Sequence, residues 1–349
     1  MPASESLPLR ALHAAFGGVI VERDGRRRVA SYGEAGGEYA AARGRSGLVD
    51  LEERGVLEAN GPKRQALLQG LLSNEVASLQ PGQGRRAALL TAKGAVQALL
   101  RVLVDADVVA LEMEAARLED VRRTLEHYRV AAPVRFGVRP TAVLAVIGPE
   151  AGEVLRAAGA EVPAVEDESH ARCTIAGQRV RVVRAGDLPG GGFVVHAPFA
   201  AAAAVWQALH FAGARPVGRD AVDALRVEAF RPWAPADVGE DNLLHETGLL
   251  SECHSPAKGC YLGQEVVARL EARGGNVNRA LRGLRLGAPA AAGDAIAVEA
   301  KEVGRLTTAA VSPRLGPIAL GYVHRSAFAP GTVVLVNGTP ATVVTRVEE

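Results

Sequence analysis

The 349-residue chain is 48% hydrophobic and 23% charged, with a formal net charge of +1. That balance belongs to a soluble globular protein with room for roughly two or three domains, and bulk charge selects no nucleic-acid partner. Three cysteines do not make a disulfide framework, Met1 to Arg10 lack the apolar core of a secretory signal, and no apolar run is long enough to span a bilayer. A reducing compartment, the cytoplasm, is the expectation by elimination.

Residues 1 to about 50 are rich in Gly, Ala and Arg, and Gly36-Gly37 and Gly44-Arg45-Ser46-Gly47 read as loops. The first readable strand is Val56 to Ala59. Gly61-Pro62 then starts a helix over Lys63 to Leu72, because proline lacks only an N–H that the first turn leaves unpaired anyway. Ala88 to Leu90 and Leu99 to Val104 predict strands. Asp105-Ala106-Asp107 is a tight turn into a strand over Val108 to Met113. A helix follows over Ala116 to Tyr128, with Leu118, Val121, Leu125 and Tyr128 on one face.

The plan then recurs in the same order. Val143 to Ile147 predicts a strand, Gly148-Pro149 starts a helix with Val154 and Leu155 on its apolar face, and Val180 to Val183 is a strand. A loop over Asp187 to Gly192 leads into Phe193 to His196 and a helix from Ala200 to Phe211. Matching order at a similar offset predicts two related α+β units. Arg219 to Ala229 predicts a further helix, and residues 231 to 257 a loop. Beyond Leu281, short β runs at Ile296 to Val298, Val303 to Thr308, Ile318 to Val323, Thr332 to Val336 and Ala341 to Val347 predict a small antiparallel barrel or sandwich.

The stretch richest in chemistry is Lys258-Gly259-Cys260-Tyr261-Leu262-Gly263-Gln264-Glu265. A buried strand or helix would have to pair every one of these polar groups. Gly259 leaves room for close approach of another group just before the thiol. Lys258 would favour the thiolate if the two face each other. The blander reading is conformational: Gly259 and Gly263 shape a turn, and Gln264 bonds to backbone.

The string resembles the signature K-G-C-x-x-G-Q-E of the YgfZ-type folate-binding proteins, relatives of the glycine-cleavage T-protein (aminomethyltransferase). Arg45 to Leu51, Gly61 to Glu75, Leu225-Arg226-Val227-Glu228 and Ile318 to Val323 are similar to further pieces of that family in the same order. The resemblance implies an α+β fold: two related α+β domains and a C-terminal antiparallel β-barrel, in a three-lobed T-protein-like architecture. The expected division is 1–139, 140–279 (ending in the signature) and 280–349.

The resemblance also implies a tetrahydrofolate cofactor. Glu228 matches the glutamate that contacts the pterin, whose adjacent N–H donors suit a carboxylate. Arg226, Tyr261, Gln264 and Glu265 are the further expected cofactor-binding residues. Cys260 and Lys258 are the expected catalytic pair. The T-protein carries acids in a pattern like G-x-x-D-D, where this chain has Gly94-Ala95-Val96-Gln97-Ala98. Neither Gln97 nor Ala98 exchanges a proton near neutral pH, so an active aminomethyltransferase is not expected. The implied function is support of iron–sulfur cluster assembly or repair in client enzymes, including tRNA-modifying ones. Folate and iron–sulfur clients are the expected partners of a monomer that binds neither membrane nor nucleic acid directly.

The rival is a folate-dependent aminomethyltransferase or methyltransferase. A third option is a thiol enzyme or metal module without folate. The spacing of Cys253, His254 and Cys260, with His245 upstream, is not a usual zinc pattern, and no metal site is expected. Gly190-Gly191-Gly192 precedes a strand and is a poor phosphate cradle. Arg269, Arg273, Arg279, Arg282 and Arg285 read as solvated surface, with a folate polyglutamate tail or RNA as the sharper options.

Overall fold

Two mixed α/β sheets and one closed barrel organise the protein, described over residues 9–23 and 26–347 by a computed structural model. Contacts gather the chain into two units. One joins the residues up to Val56 with Val138–Leu225, and the other joins Leu57–Gly137 with the residues from Arg226 onward. This grouping cuts across a linear division at 139 and 279. The signature segment packs with residues 57–137 rather than with the second α+β stretch.

The first unit is built on a six-stranded sheet. Its order is His170–Ile175, Gln178–Arg184, Gly192–Pro198, Thr141–Ile147, Gly47–Asp50 and Arg215–Pro216. The last pair is parallel and the others are antiparallel. Alternate residues of the strands, such as Leu144 and Val146, enter one core with Leu48, Trp206 and Leu209, the last two from the helix Ala202–Phe211. The region expected to be loop is ordered. A hairpin pairs Val19–Arg23 with Arg26–Ser31, and Ala35–Gly44 is a helix despite Gly36 and Gly37. Two glycines cost a helix about 1 kcal/mol each. Burial of Tyr39 and Ala42 offsets this, and the Glu38 carboxylate accepts the Tyr32 N–H at 2.6 Å and the Gly218 N–H at 2.7 Å.

The second unit holds a five-stranded sheet in the order Gln83–Leu90, Val96–Val104, Val108–Glu114, Arg54–Asn60 and Arg135–Arg139. The helix Leu118–Arg129 lays Leu118, Val121 and Leu125 on it, as its spacing predicts, while Tyr128, expected on the same face, is exposed. The helix expected over Lys63 to Leu72 is shorter, Arg64–Gln69. Leu72 instead bridges to Leu89 of the sheet, which turns the chain back at Ser73-Asn74.

The barrel is closed and antiparallel, in the order Arg279–Leu286, Gly316–His324, Lys301–Ser312, Ala295–Val298, Val333–Val336 and Thr339–Val344. The strand that closes it, Arg279–Leu286, was not legible as one because arginines interrupt its apolar pattern. Those arginines are structural. Arg279 pairs with Glu246 at 3.1 Å, Arg282 donates to the Phe328 carbonyl at 3.0 Å, and Arg285 donates to the Val347 carbonyl at 3.0 Å. Arg269 and Arg273 remain on the exposed surface of the helix Gln264–Glu271 and just beyond it.

Candidate thiol-centred site

The signature lies between a short helix, Leu250–Cys253, and the helix Gln264–Glu271. Residues 254–263 have no ladder of their own, so side chains from the Leu72–Glu75 turn tie them down. The Ser73 hydroxyl accepts the Ala88 N–H at 2.8 Å and donates to the Cys253 carbonyl. The Asn74 amide donates to the carbonyls of Arg86 at 2.8 Å and Glu252 at 3.1 Å. The Ser255 N–H reaches the Ser73 carbonyl at 3.2 Å. The Glu252 carboxylate accepts from Arg86 and, at 3.0 Å, from Arg231.

Lys258 is the last tie before the thiol. Its ammonium donates to the carbonyls of Gln69 at 2.7 Å, Leu72, and Asn74 at 3.2 Å. Three donors meet three carbonyls, and the nitrogen also lies 4.9 Å over the Tyr261 ring. Partial burial pulls the Lys258 pKa down to about 8. The ammonium is taken up by backbone, because the Gln69 carbonyl at the helix end and those of Leu72 and Asn74 in the turn after it all face it.

On the far side the chain is locked again. The Gln264 side chain accepts the Tyr261 N–H at 3.0 Å, the backbone bond of the blander reading. Gly263 has φ 78°, and a Cβ there would lie 2.5 Å from the Thr91 carbonyl oxygen. A Cβ on Gly94 would likewise lie 2.5 Å from the Val266 Cβ. The Tyr261 ring is buried with Ala88, Leu90, Val96 and Val267. Glu265 is exposed in the first turn of the helix, where a carboxylate is favoured by the helix dipole.

Between the two locks, Gly259 and Cys260 are both exposed, and a Cβ on Gly259 would meet nothing within 4 Å. Gly263 has an internal reason to be glycine. Gly259 has none among the described residues and leaves open space beside the thiol. Cys253 is fully buried, and burial pushes the half-buried Cys173 thiol up.

The expected folate contacts Arg226 and Glu228 have other partners. Arg226, 1% exposed, pairs with Asp237 and donates to the Thr308 hydroxyl at 2.7 Å. Glu228, also 1% exposed, accepts from the Ser312 hydroxyl and from Arg314 at 3.3 Å. Both side chains are engaged with the barrel strand Lys301–Ser312 and the turn after it. Gln97 donates to the Thr124 hydroxyl at 2.8 Å, and Ala98 is buried. With Val96, Leu99, Glu114, Arg117, Ala234, Val238 and Gly239 these two line a small cleft that opens to solvent.

The chain matches the GCVT N-terminal domain family over residues 9–254 and the glycine cleavage T-protein C-terminal barrel domain over residues 279–347. The chain belongs to the glycine cleavage T-protein family. Among relatives of this T-protein-family chain, an aminomethyltransferase of Synechococcus elongatus is 32% identical over 323 residues, 88% of this chain and 86% of the relative. One of Cutibacterium acnes is 29% identical over 351 residues, 95% and 93% of the two chains. A putative chloroplastic transferase of Arabidopsis thaliana is 26% identical over 305 residues, 86% of this chain and 70% of that one. The solved aminomethyltransferase T of the Bartonella henselae glycine cleavage system superposes with a TM-score of 0.89 at 23% identity, covering 99% of this chain and 98% of that one. The T-protein fold, mixed α/β domains with a closed six-stranded barrel, is thereby established for this chain.

A polar cluster flanks the signature of this T-protein-family chain. The His254 ring lies 3.5 Å from the Glu271 carboxylate and packs on Tyr261. Both ring nitrogens of His245 and the Tyr261 hydroxyl are buried without a hydrogen-bond partner among the described residues. Burial holds both histidines below their ordinary pKa and pushes Tyr261 up to about 12. Among the described residues no three His, Cys, Asp or Glu side chains are grouped to hold a metal. Sequence reasoning missed the roles of Ser73, Asn74, Glu252 and Asp237. The Ser73-Asn74 turn was visible as a family-like piece, but its contacts lie far along the chain.

Proposed function

We propose that this T-protein-family chain is a tetrahydrofolate-binding protein of the YgfZ type, supporting assembly or repair of iron–sulfur clusters in client enzymes, tRNA-modifying enzymes among them. Cys260 is its reactive group. The observation that carries the reading is an exposed thiol on a loop locked on both sides, with open space beside Gly259. Such a thiol is accessible to a client protein and held in a fixed place.

Val96, Leu99 and Val238 give the cleft at Gln97 and Glu114 apolar walls, but it has room for little more than a water molecule, so a pterin would enter only if those walls parted. Glu228 would join such a site only if Arg314 and Ser312 released it. When bound, folate would supply a one-carbon carrier. The protein groups here bind and orient it, with Cys260 kept at the surface.

The names of the relatives favour an aminomethyltransferase as the second reading. Against it stand Gln97, a neutral amide bonded to Thr124, and Ala98, which has no polar atom in its side chain. Calorimetric titration with tetrahydrofolate forms, followed by product analysis with T-protein partners present, separates the two. Binding without aminomethyl transfer is expected. Turnover of order 1 per second or faster would replace this reading with the transferase.

A further inference from the structure

Ser73 and Asn74 lie outside the signature, yet four ties on its N-terminal side run through them, beside those that Gln69, Leu72, Arg86 and Arg231 make. Ser73 is fully buried and uses each of its polar groups. Its N–H donates to the Ala88 carbonyl at 3.0 Å, and its carbonyl accepts the Ser255 N–H at 3.2 Å. Its hydroxyl bridges the Ala88 N–H and the Cys253 carbonyl. Asn74, 3% exposed, accepts the Glu75 N–H at 2.9 Å, donates to the carbonyls of Arg86 and Glu252, and offers its own carbonyl to Lys258.

The two residues therefore join the strand Gln83–Leu90 to four successive points of the thiol segment: Glu252, Cys253, Ser255 and Lys258. A buried polar pair that serves only the sheet would bond to the sheet alone. Here one bond from each side chain goes to the strand and one to the segment leading to Cys260. The segment has no helix or strand of its own between Cys253 and Gln264, so these bonds, with those of Lys258 to Gln69 and Leu72, fix its course on that side.

We propose that Ser73 and Asn74 are positioning residues for Cys260, holding the loop that presents the thiol without touching the thiol themselves. The proposal rests on the reading of Cys260 as the reactive group. Its test separates the two ideas, because loop order is read directly and client rescue is read apart from it.

The experiment uses the full chain with Ser73→Ala, Asn74→Ala and Asn74→Asp. The last keeps the acceptor for the Glu75 N–H but sets a buried carboxylate against the carbonyls of Arg86 and Glu252, so it is the severe member of the set and its melting temperature is read separately. Hydrogen exchange is followed by peptide for residues 252–262, for the sheets and for the barrel. Melting temperature and rescue of iron–sulfur enzyme activity in cells lacking the protein are measured alongside. Exchange in 252–262 should rise about tenfold or more, with the barrel unchanged and the melting temperature within a few degrees. Rescue should fall toward that of Cys260→Ala at equal protein level, and Ser73→Thr, which keeps the hydroxyl, should restore it. Unchanged exchange in 252–262, or a rise spread equally over the whole unit, overturns the positioning role, as does full rescue by both alanine variants. If Cys260→Ala itself rescues fully, the thiol reading fails, and the exchange data still decide whether Ser73 and Asn74 hold the loop.

Discussion

Replacing Asp237 with Asn tests whether Arg226 is an internal staple rather than a ligand group. Arg226 and Asp237 form a pair whose side chains are 1% and 0% exposed. The carboxylate also accepts the Trp233 N–H at 3.0 Å and the hydroxyls of Thr307 and Thr308 at 2.5 and 2.7 Å. Thr308 in turn accepts from Arg226. Asn keeps the shape and removes the charge, leaving a buried guanidinium without its counter-ion. Breaking one side of such a pair costs about 3–5 kcal/mol, which for a protein of this size lowers the melting temperature by roughly 4–7 °C. Urea unfolding and calorimetry of the variant give the number. The double variant Arg226→Met, Asp237→Leu removes both charges and should recover much of the loss. A cost below about 1 kcal/mol for Asp237→Asn would refute the staple and return Arg226 to the list of ligand contacts.

Three further outcomes follow from the site. Gly263→Ala should destabilise by about 2–4 kcal/mol, from the left-handed backbone and the contact with the Thr91 carbonyl; a neutral result in denaturant unfolding would mean the start of the Gln264–Glu271 helix is not held as described. His245 and His254 titrate below the ordinary 6.5 in the fold, so the unfolded chain binds protons that the native one refuses. Their contribution is present above pH 6.5 and is lost as pH falls through the lower native values. Unfolding measured against pH should show that loss, and the double variant His245→Gln, His254→Gln should flatten it; equal slopes would contradict the burial of the two rings. Alkylation followed by peptide mass spectrometry should label Cys260 first, then Cys173, with buried Cys253 last; a faster Cys173 would place Cys260 out of reach.

The large elements were legible where one face repeats. The helix Leu118–Arg129 and the strands of the barrel show their periods in the sequence, and the structure keeps them within a few residues. The helix Ala35–Gly44 was not legible, because paired glycines hide a buried face formed by Glu38, Tyr39 and Ala42. Strand Arg279–Leu286 was hidden by arginines that staple the barrel from its own ladder. The exposed thiol was legible from its glycine-flanked, polar surroundings. The partners of Lys258 were not: sequence proximity pointed to Cys260, whereas the ammonium reaches back to residues 69–74, which only the fold brings near. The partners of Arg226 and Glu228, which are Asp237, Thr308, Ser312 and Arg314, were not legible for the same reason, since they lie farther along the chain.

The most direct measurement is rescue of iron–sulfur enzyme activity by Cys260→Ala in cells that lack the protein. Because the Cys260 thiol is exposed, its loss removes little buried area, so the variant should melt within a few degrees of the parent. It should accumulate normally and still fail to restore the client enzymes. Full rescue, or failure explained by unfolding alone, would contradict a functional role for the thiol.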